Sequence, residues 1–490
     1  MHGTWKKKEG GGKNVSDSKK IVWYNLAFMA FSTVWGFGNV LNGFIYFNGI
    51  QVIFSWILMF ALYFVPYALM VGELGSAFKN SGGGVSSWIH ETMGSKLAYY
   101  AGWTYWACHV TYIASKGSGG LKALSWMVFQ NGTTYATFDT KLIQFATLAV
   151  LLFFCWVASR GLNPLKKLAT LAGTSMFIMS ILYIIMMFAA PAINPNGGYL
   201  HMDFSLKNLI PQFNMGYFTS LSILVFAVGG CEKISPYVNK VENPSKGFPK
   251  GMITLAIMVM VCAILGTIAM GMMFDPAEIN ANFDAYNANG SYWAFQKLGE
   301  YYGMGNVLMI IYAACNAVGQ FSTLVISIDA PLRMLLDNED ARQYIPSKLL
   351  KKNQHGSYIN GIWMVVILSG AIILIQALVP NADGVLTQLT KLNSVTMPMR
   401  YLWVFAAYIA LRKAKDQFNP EYKFVKNQGL ALTAGIWCFV LTAACCLLGM
   451  YKEGDMFTTL LNILTPIVLV ALGLIMPYFA KREKEKQITE

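Results

Sequence analysis

Long apolar stretches separated by short polar segments run through almost the whole chain. A helix needs about 20 apolar residues to cross the hydrocarbon core of a bilayer, and twelve stretches approach or exceed that length. They fall at 21–47, 51–75, 98–128, 142–159, 166–190, 214–232, 251–274, 305–331, 358–379, 385–411, 429–450 and 457–479. The pattern therefore predicts an all-α membrane protein with twelve transmembrane helices.

The composition agrees with a membrane protein and excludes several other classes. The chain has 490 residues, of which 55% are hydrophobic and 12% charged, about half the charge of a typical soluble domain. The cysteines lie in apolar segments without the spacing of a disulfide or metal framework, and the histidines are scattered. We find no phosphate-binding loop, nucleophile elbow or paired carboxylates. The sequence thus predicts neither an enzyme nor an ATP-driven pump, and no cofactor or metal.

Basic residues fall mostly on one side of the predicted membrane. With the N-terminus inside, 29 Lys and Arg lie in cytoplasmic segments and 4 in external ones. This asymmetry predicts a multi-pass protein of the plasma membrane with both termini cytoplasmic. The net charge of +13 therefore reports topology, and we expect membrane lipid and not nucleic acid as its surroundings.

Four basic residues remain inside predicted spans, namely Lys116, Lys122, Lys391 and Arg400. We expect Lys122 and Lys391 to reach toward the external interface. Arg400 is deeper, and it is either structural or lines the exit path.

The first span contains Trp35-Gly36-Phe37-Gly38-Asn39 at its centre. Glycine and asparagine are poor helix formers, so we expect the helix to open here. Free backbone groups at membrane depth are tolerated where they line a cavity, and the N–H groups of Gly36, Phe37 and Gly38 suit a carboxylate. The alternative is that these glycines only permit close helix packing.

The sixth span has a matching interruption at Ala227, Gly229 and Gly230. Two broken spans five helices apart indicate an inverted repeat with a binding site near the membrane midplane. Free carbonyls near Phe226, Ala227 and Gly229 could accept hydrogen bonds from a substrate ammonium. The two breaks together suit an α-amino acid.

Glu232 directly follows the second break. An acidic residue inside a span is a functional-site hypothesis by default, and we expect Glu232 to take and release a proton during transport. The alternative is a structural ion pair with Lys233 or another nearby basic side chain.

Further candidates lie on spans three and eight. Cys108, Tyr112 and Lys116 share one helical face; they either line the cavity or belong to the core, with Lys116 paired to an internal acid. Ser322 and Thr323 on span eight could complete a cation site with first-span carbonyls, or bond back to their own helix.

The motifs around these positions resemble those of the amino acid–polyamine–organocation superfamily, and most of all its bacterial glutamate/γ-aminobutyrate antiporter branch. The resemblance covers nearly the whole chain. It rests on Gly36-Phe37-Gly38-Asn39, Gly72-Glu73-Leu74-Gly75, Ser81-Gly82-Gly83-Gly84, Gly230-Cys231-Glu232, Glu242-Asn243-Pro244-Ser245-Lys246, Asp329-Ala330-Pro331-Leu332-Arg333 and Ile345-Pro346.

The resemblance implies a five-plus-five inverted repeat of the LeuT type and alternating-access transport of amino acids or amines. By position it places the substrate carboxylate at Ser32, Thr33 and the backbone of 36–38. It places Phe226 as the aromatic that caps the substrate and Glu232 as the acid tied to gating or proton response. It also places Ala107, Cys108 and Tyr112 in the lining from span three.

The sequence therefore predicts a secondary amino acid transporter that works by exchange or proton-coupled uptake. The intramembrane positive charge favours an acidic or neutral substrate. A sodium-coupled symporter, and a non-transporting sensor or channel, remain as alternatives, and the oligomeric state is open. The expected organisation is a cytoplasmic segment 1–20, a first repeat 21–190, a second repeat 214–411, two further spans in 429–479 and a cytoplasmic tail 480–490.

Overall fold

The structure is a computed structural model that describes residues 20–194, 205–337, 340–379, 397–414, 416–452 and 454–489. These residues form helices and short connections. The described part contains no β-strand, only isolated bridges between Ile21 and Val241 and between Lys352 and Tyr358.

The longer helices follow one another in this order: α1 Trp23–Val34, α2 Gly38–Tyr46, α3 Gly49–Ala77, α4 Val85–Met93, α5 Ser95–Phe129, α6 Thr140–Ser159, α7 Leu162–Ile193, α8 Met215–Val228, α9 Pro244–Gly271, α10 Phe283–Tyr301, α11 Val307–Leu336, α12 Ile359–Leu378, α13 Tyr401–Lys413, α14 Gln428–Met450, α15 Met456–Leu472 and α16 Ile475–Thr489. Between them lie short helical turns at Thr134–Thr137, Leu206–Leu209 and Pro276–Ala281, and 3-10 segments at Cys231–Lys240, Asp340–Tyr344 and Ser347–Leu350.

Nine helical segments in the described part are long and apolar enough to cross a membrane. They are α3, α6, α7, α9, α11, α12 and α14, together with Met215–Lys240 and Met456–Gln487. The other three predicted spans differ from these for separate reasons. The first is divided into α1 and α2, and the third, α5, is long but carries more polar side chains. The tenth lies partly in 380–396, outside the described residues.

The two predicted interruptions are present as breaks in helical structure. α1 ends at Val34 and α2 begins at Gly38, so the first break comprises residues 35–37. α8 ends at Val228 and continues as the 3-10 segment Cys231–Lys240. Each break separates two helical pieces. Because the end of a helix has N–H or C=O groups without a partner in that helix, both breaks contain such backbone groups.

Close helix packing holds the broken helices in place. α1 packs against α7 and α9, and α5 runs along α11. At the α5–α11 contact, a Cβ added to Gly102 would lie 2.6 Å from the carbonyl oxygen of Met334. Only glycine therefore allows these two helices to approach so closely.

Polar contacts join three elements of the protein at the end where α1 begins. The backbone N–H of Ile21 donates to Lys240 and its carbonyl accepts from Glu242, both at 2.8 Å. The Tyr237 hydroxyl donates to Asp329 at 2.7 Å, and Asp329 also accepts from the Arg333 Nε at 2.7 Å. The start of α1, the 3-10 segment and α11 are thus tied together at this end.

Candidate functional site

A cavity of about 400 Å³ lies between the two helix breaks. Its volume is within the range of small-molecule sites. Both breaks, α5, α7, α10, α11 and the start of α13 contribute to its wall. The lining comprises Ser32, Thr33, Val34, Trp35, Gly36, Phe37, Gly38, Asn39, Asn42, Tyr112, Lys116, Gly119, Lys122, Met176, Phe226, Ala227, Gly229, Gly230, Lys233, Asn287, Ala288, Ser291, Tyr292, Tyr312, Asn316, Gly319, Gln320, Thr323, Met397, Arg400 and Tyr401.

Residues at the first break line this cavity and contain N–H groups without a described acceptor. Trp35 is extended and its N–H closes α1 on the Phe31 carbonyl at 2.8 Å. The N–H groups of Gly36, Phe37 and Gly38 donate to no described backbone or side-chain acceptor. They stand at the start of α2, where the helix dipole favours negative charge. This geometry suits a carboxylate.

The second break depends on a glycine. Gly230 has φ +108, a left-handed value that favours glycine, and it turns the chain from α8 into the 3-10 segment. The Asn39 amide then joins the two breaks, since its Nδ2 lies 3.3 Å from the Val34 carbonyl and 3.2 Å from that of Ala227. The Ala227 carbonyl, predicted to receive a substrate ammonium, thus already accepts one hydrogen bond.

Four basic side chains line the cavity, and no carboxylate is among its described lining residues. Lys116 donates to the Gln320 side chain at 3.3 Å, Lys122 to the Ala288 carbonyl at 2.7 Å and Lys233 to the Ser327 hydroxyl at 2.7 Å. Within the part of the chain that the structure describes, none of these three lysines pairs with an acid. The described wall of the cavity is therefore basic, with no acidic side chain in it.

The aromatic ring of Tyr112 is in contact with the amino groups of two of these lysines. The Lys116 Nζ is 4.7 Å from the centre of its ring and the Lys233 Nζ is 5.1 Å from it. Both distances are those of cation–π contacts. The Tyr112 ring therefore contacts two basic side chains of the cavity wall.

Arg400, the fourth basic residue, connects the cavity to Glu232 behind it. Glu232 is fully buried, its carboxylate accepts a hydrogen bond from the Tyr67 hydroxyl, and its Oε1 lies 3.5 Å from the Arg400 Nε. The predicted alternative of an ion pair with a basic neighbour is therefore present, with Arg400 and not Lys233 as the partner.

Most of the predicted site residues meet at the cavity. Its lining includes Ser32, Thr33, Gly36, Phe37, Gly38, Tyr112, Lys116, Phe226, Ala227, Gly229 and Thr323. Four others do not line it, namely Ala107, Cys108, Ser322 and Glu232. Ala107 and Cys108 are buried on α5, where the helix turns them into the core.

The hydroxyl groups mostly bond to backbone carbonyls. Ser32 and Thr33 donate to carbonyls one turn back, both at 2.8 Å. The Thr323 hydroxyl is 2.9 Å from the Gly319 carbonyl and 3.1 Å from that of Ser32, so it bridges α11 and α1. The Ser322 hydroxyl is buried without a hydrogen-bond partner among the described residues.

The structure gives the positions of two further lysines of the cavity wall. Lys122 donates to the Ala288 carbonyl of α10, which covers that end of the cavity, and its expected approach to the external interface stays a prediction. The sequence counts Lys233 among the 29 basic residues of the cytoplasmic segments, but it lines the cavity and is 3% exposed, because the 3-10 segment turns it toward α11. Lys391 lies outside the described residues.

Sequence reasoning missed the contribution of α10. Its Asn287, Ala288, Ser291 and Tyr292 line the cavity. This segment is too polar to resemble a span, and its aromatic and small residues between spans seven and eight were the available signal. Met397 and Tyr401 were missed because their place in the wall depends on how α13 packs.

Comparison with known proteins identifies similar chains over nearly the full length. A family model described as amino acid permease matches residues 21–472. The chain is 48% identical over 480 residues to the aspartate/glutamate permease AcaP of Lactococcus lactis subsp. cremoris, covering 96% of this chain and 97% of that protein.

More distant relatives are also transporters by name. The inner membrane transporter YjeM of Escherichia coli is 22% identical over 500 residues, covering 96% of this chain and 98% of that protein. A glutamate/gamma-aminobutyrate antiporter of Lactococcus lactis subsp. lactis is 22% identical over 400 residues, covering 79% of this chain and 75% of that protein.

Proposed function

This chain belongs to the amino acid permease family and is an amino acid transporter, and we propose that its substrates are the acidic amino acids aspartate and glutamate. The observation that carries this proposal is the charge of the cavity. An α-amino acid has one carboxylate and one ammonium in its backbone, so its side chain decides its net charge. A second carboxylate would meet a wall that has basic groups and no acid among its described residues.

Electrostatic cost favours an anionic substrate over the alternatives. Charges in a protein interior are costly unless they are paired, and Lys116 and Lys233 have only neutral hydrogen-bond partners. A bound dicarboxylate would supply a countercharge, whereas a cationic amino acid would add repulsion. The name of the AcaP relative, an aspartate/glutamate permease, agrees with this reasoning.

Each part of the substrate has a suitable partner in the cavity. The α-carboxylate would accept from the free N–H groups of 36–38, and the ammonium would donate to carbonyls near the second break. The side-chain carboxylate would then face Tyr112, Lys116 and Arg400. Glutamate and aspartate differ by one methylene, so a flexible lysine side chain can serve both.

The proposed transport cycle is alternating access by an inverted repeat of the LeuT type. It comprises twelve spans, with 21–190 and 214–411 as the repeats and 429–479 as two further spans, in the plasma membrane with both termini cytoplasmic. In this cycle the contacts of Ile21 with Lys240 and Glu242 would close one side of the protein, and α10, which lines the cavity, would cover the other. Transport would proceed by exchange or by proton-coupled uptake.

Sodium coupling is the less favoured alternative. A cation site at Thr323 would require carbonyls of α1, and Thr323 does contact the Ser32 carbonyl. However, the Lys233 ammonium bonds Ser327, whose hydroxyl in turn donates to the Thr323 carbonyl at 2.6 Å. A positive charge so close to these hydroxyls disfavours a bound sodium ion.

The test is uptake of labelled amino acids into proteoliposomes. We expect accumulation of L-aspartate and L-glutamate, little of L-lysine, and no dependence on sodium. Internal unlabelled substrate and an imposed pH gradient separate exchange from proton coupling in the same experiment. Lys116→Gln should raise the KM for L-glutamate more than that for L-glutamine, whereas Lys452→Gln, outside the cavity, serves as the matched control. Preferential uptake of a neutral or cationic amino acid would refute the proposal.

A further inference from the structure

Arg400 lies between the cavity and the buried carboxylate of Glu232. Its side chain lines the substrate cavity and is 5% exposed. On its other side it approaches the buried carboxylate of Glu232, which does not line the cavity. The guanidinium group is therefore the only described basic cavity residue that already has an acidic partner.

The contact between Arg400 and Glu232 is incomplete as a hydrogen bond. The Nε and Oε1 atoms are 3.5 Å apart, longer than the 2.7–2.9 Å typical of charge-assisted bonds. Both atoms lack a hydrogen-bond partner in the described part of the protein. A guanidinium has five N–H donors in a planar fork, and a carboxylate that met this fork squarely would bind it better.

A substrate carboxylate in the cavity can compete for this fork. Building on the proposed acidic substrate, we propose that Arg400 exchanges Glu232 for the side-chain carboxylate of the bound amino acid, and that Glu232 then takes up one proton. The exchange breaks one ion pair and forms another. The proton comes from water and converts the Glu232 carboxylate to a carboxylic acid, so no buried negative charge is left unpaired.

The groups around Glu232 make it the site where this proton binds. Tyr67, Tyr105 and Tyr401 face it from α3, α5 and α13, with Cys231 and Lys233 beside it in the chain. Phenol and thiol groups are already protonated at neutral pH. They can donate to a carboxylate, as Tyr67 does, but cannot accept a further proton there.

His109 is the rival proton acceptor. Its Nδ1 lies 2.6 Å from the Tyr105 carbonyl, so it is the donor, and its Nε2 lies 3.2 Å from the Arg400 Nη1. This arrangement describes a neutral imidazole whose acceptor nitrogen is filled by Arg400. If Arg400 moved toward the substrate, His109 could also take a proton, and the experiment must distinguish the two residues.

The exchange makes substrate binding depend on pH in a defined direction. Binding of an acidic amino acid consumes a proton, so its apparent affinity should fall as pH rises, by up to about tenfold per pH unit. Binding of L-glutamine needs no exchange and should depend little on pH. Glu232→Gln should remove the dependence, because Arg400 then has no competing carboxylate.

The experiment is isothermal titration calorimetry on the purified full-length protein in buffers of different ionisation enthalpy, which counts the protons taken up. For the natural sequence we expect close to one proton per L-glutamate bound and none per L-glutamine. Glu232→Gln should bind L-glutamate without proton uptake, and more tightly at pH 8 than the natural sequence does. His109→Gln should keep the uptake.

Several outcomes would overturn the exchange. They are L-glutamate binding without proton uptake, equal uptake with L-glutamine, or uptake that survives in Glu232→Gln; in the last case its loss in His109→Gln would assign the proton to His109. If Glu232→Gln does not fold, proton counts on the natural sequence still test whether binding takes up a proton, and Tyr67→Phe, which removes the donor to the Glu232 carboxylate, should change the pH dependence. Failure of L-glutamate and L-aspartate to bind at all would instead refute the proposed substrate class.

Discussion

Replacing Gly36 with alanine offers a direct test of the first helix break as a carboxylate site. Gly36 has no positive φ, and a Cβ added there would meet no heavy atom within 4 Å. The new methyl group would therefore lie in the cavity itself. The substitution should leave folding intact and change only the space beside the free N–H groups of 36–38.

The expected loss follows from the hydrogen bonds at stake. A bond from a backbone N–H to a charged carboxylate contributes about 1.5–3 kcal/mol. If the methyl group displaces the substrate from one such bond, the Kd should rise roughly 10- to 150-fold. Because every amino acid has an α-carboxylate, we expect L-glutamate, L-aspartate and L-glutamine to lose affinity by a similar factor.

The assay combines equilibrium binding with thermal unfolding of the detergent-purified protein. Gly370→Ala in α12 is the matched control, since its Cβ would make an ordinary contact of 3.5 Å with Leu148 away from the cavity. Both variants should unfold within a few degrees of the natural sequence. Unchanged affinity in a folded Gly36→Ala protein would refute the carboxylate assignment.

Two further predictions concern stability. Arg412→Met should lower the free energy of unfolding by about 3–5 kcal/mol, because the buried Glu73 carboxylate then loses the Arg412 Nη2 that lies 2.6 Å from its Oε2. Thermal unfolding measures this loss, and adding Glu73→Gln should restore part of it. Gly230→Ala should cost about 1–2 kcal/mol, since φ +108 strains any residue with a Cβ while the nearest atom is 3.5 Å away. An unfolding temperature of Gly230→Ala equal to that of the natural sequence would contradict the argument from backbone strain at this position.

The helix breaks could be predicted from sequence because their cause is local. Gly36, Gly38, Gly229 and Gly230 interrupt apolar runs, and the structure has non-helical residues at 35–37 and 229–230. The apolar runs themselves also gave the approximate bounds of most long helices. Both features depend only on residues adjacent in the chain.

The set of basic residues in the cavity wall could not be predicted in full, because it depends on the packing of helices that are distant in the sequence. Lys116 and Arg400 were noticed as charges within spans, but their convergence depends on how α5 and α13 pack. Lys233 was misplaced because its position next to polar residues resembles a membrane edge, and only the 3-10 turn brings it inward. The α10 contacts to Lys122 required the tertiary fold for the same reason.

In the proposed site, different elements bind the backbone of the amino acid and its charged side chain. The free N–H groups belong to the break between α1 and α2, whereas the basic side chains come from α5, the 3-10 segment and the start of α13. A change at Gly36 should therefore weaken the binding of all amino acids by a similar factor. A change at Arg400 or Lys116 should alter the preference between glutamate and glutamine and leave the shared contacts intact. If this division holds, the charge preference of the site can change through α5, the 3-10 segment or α13 while the helix breaks stay the same.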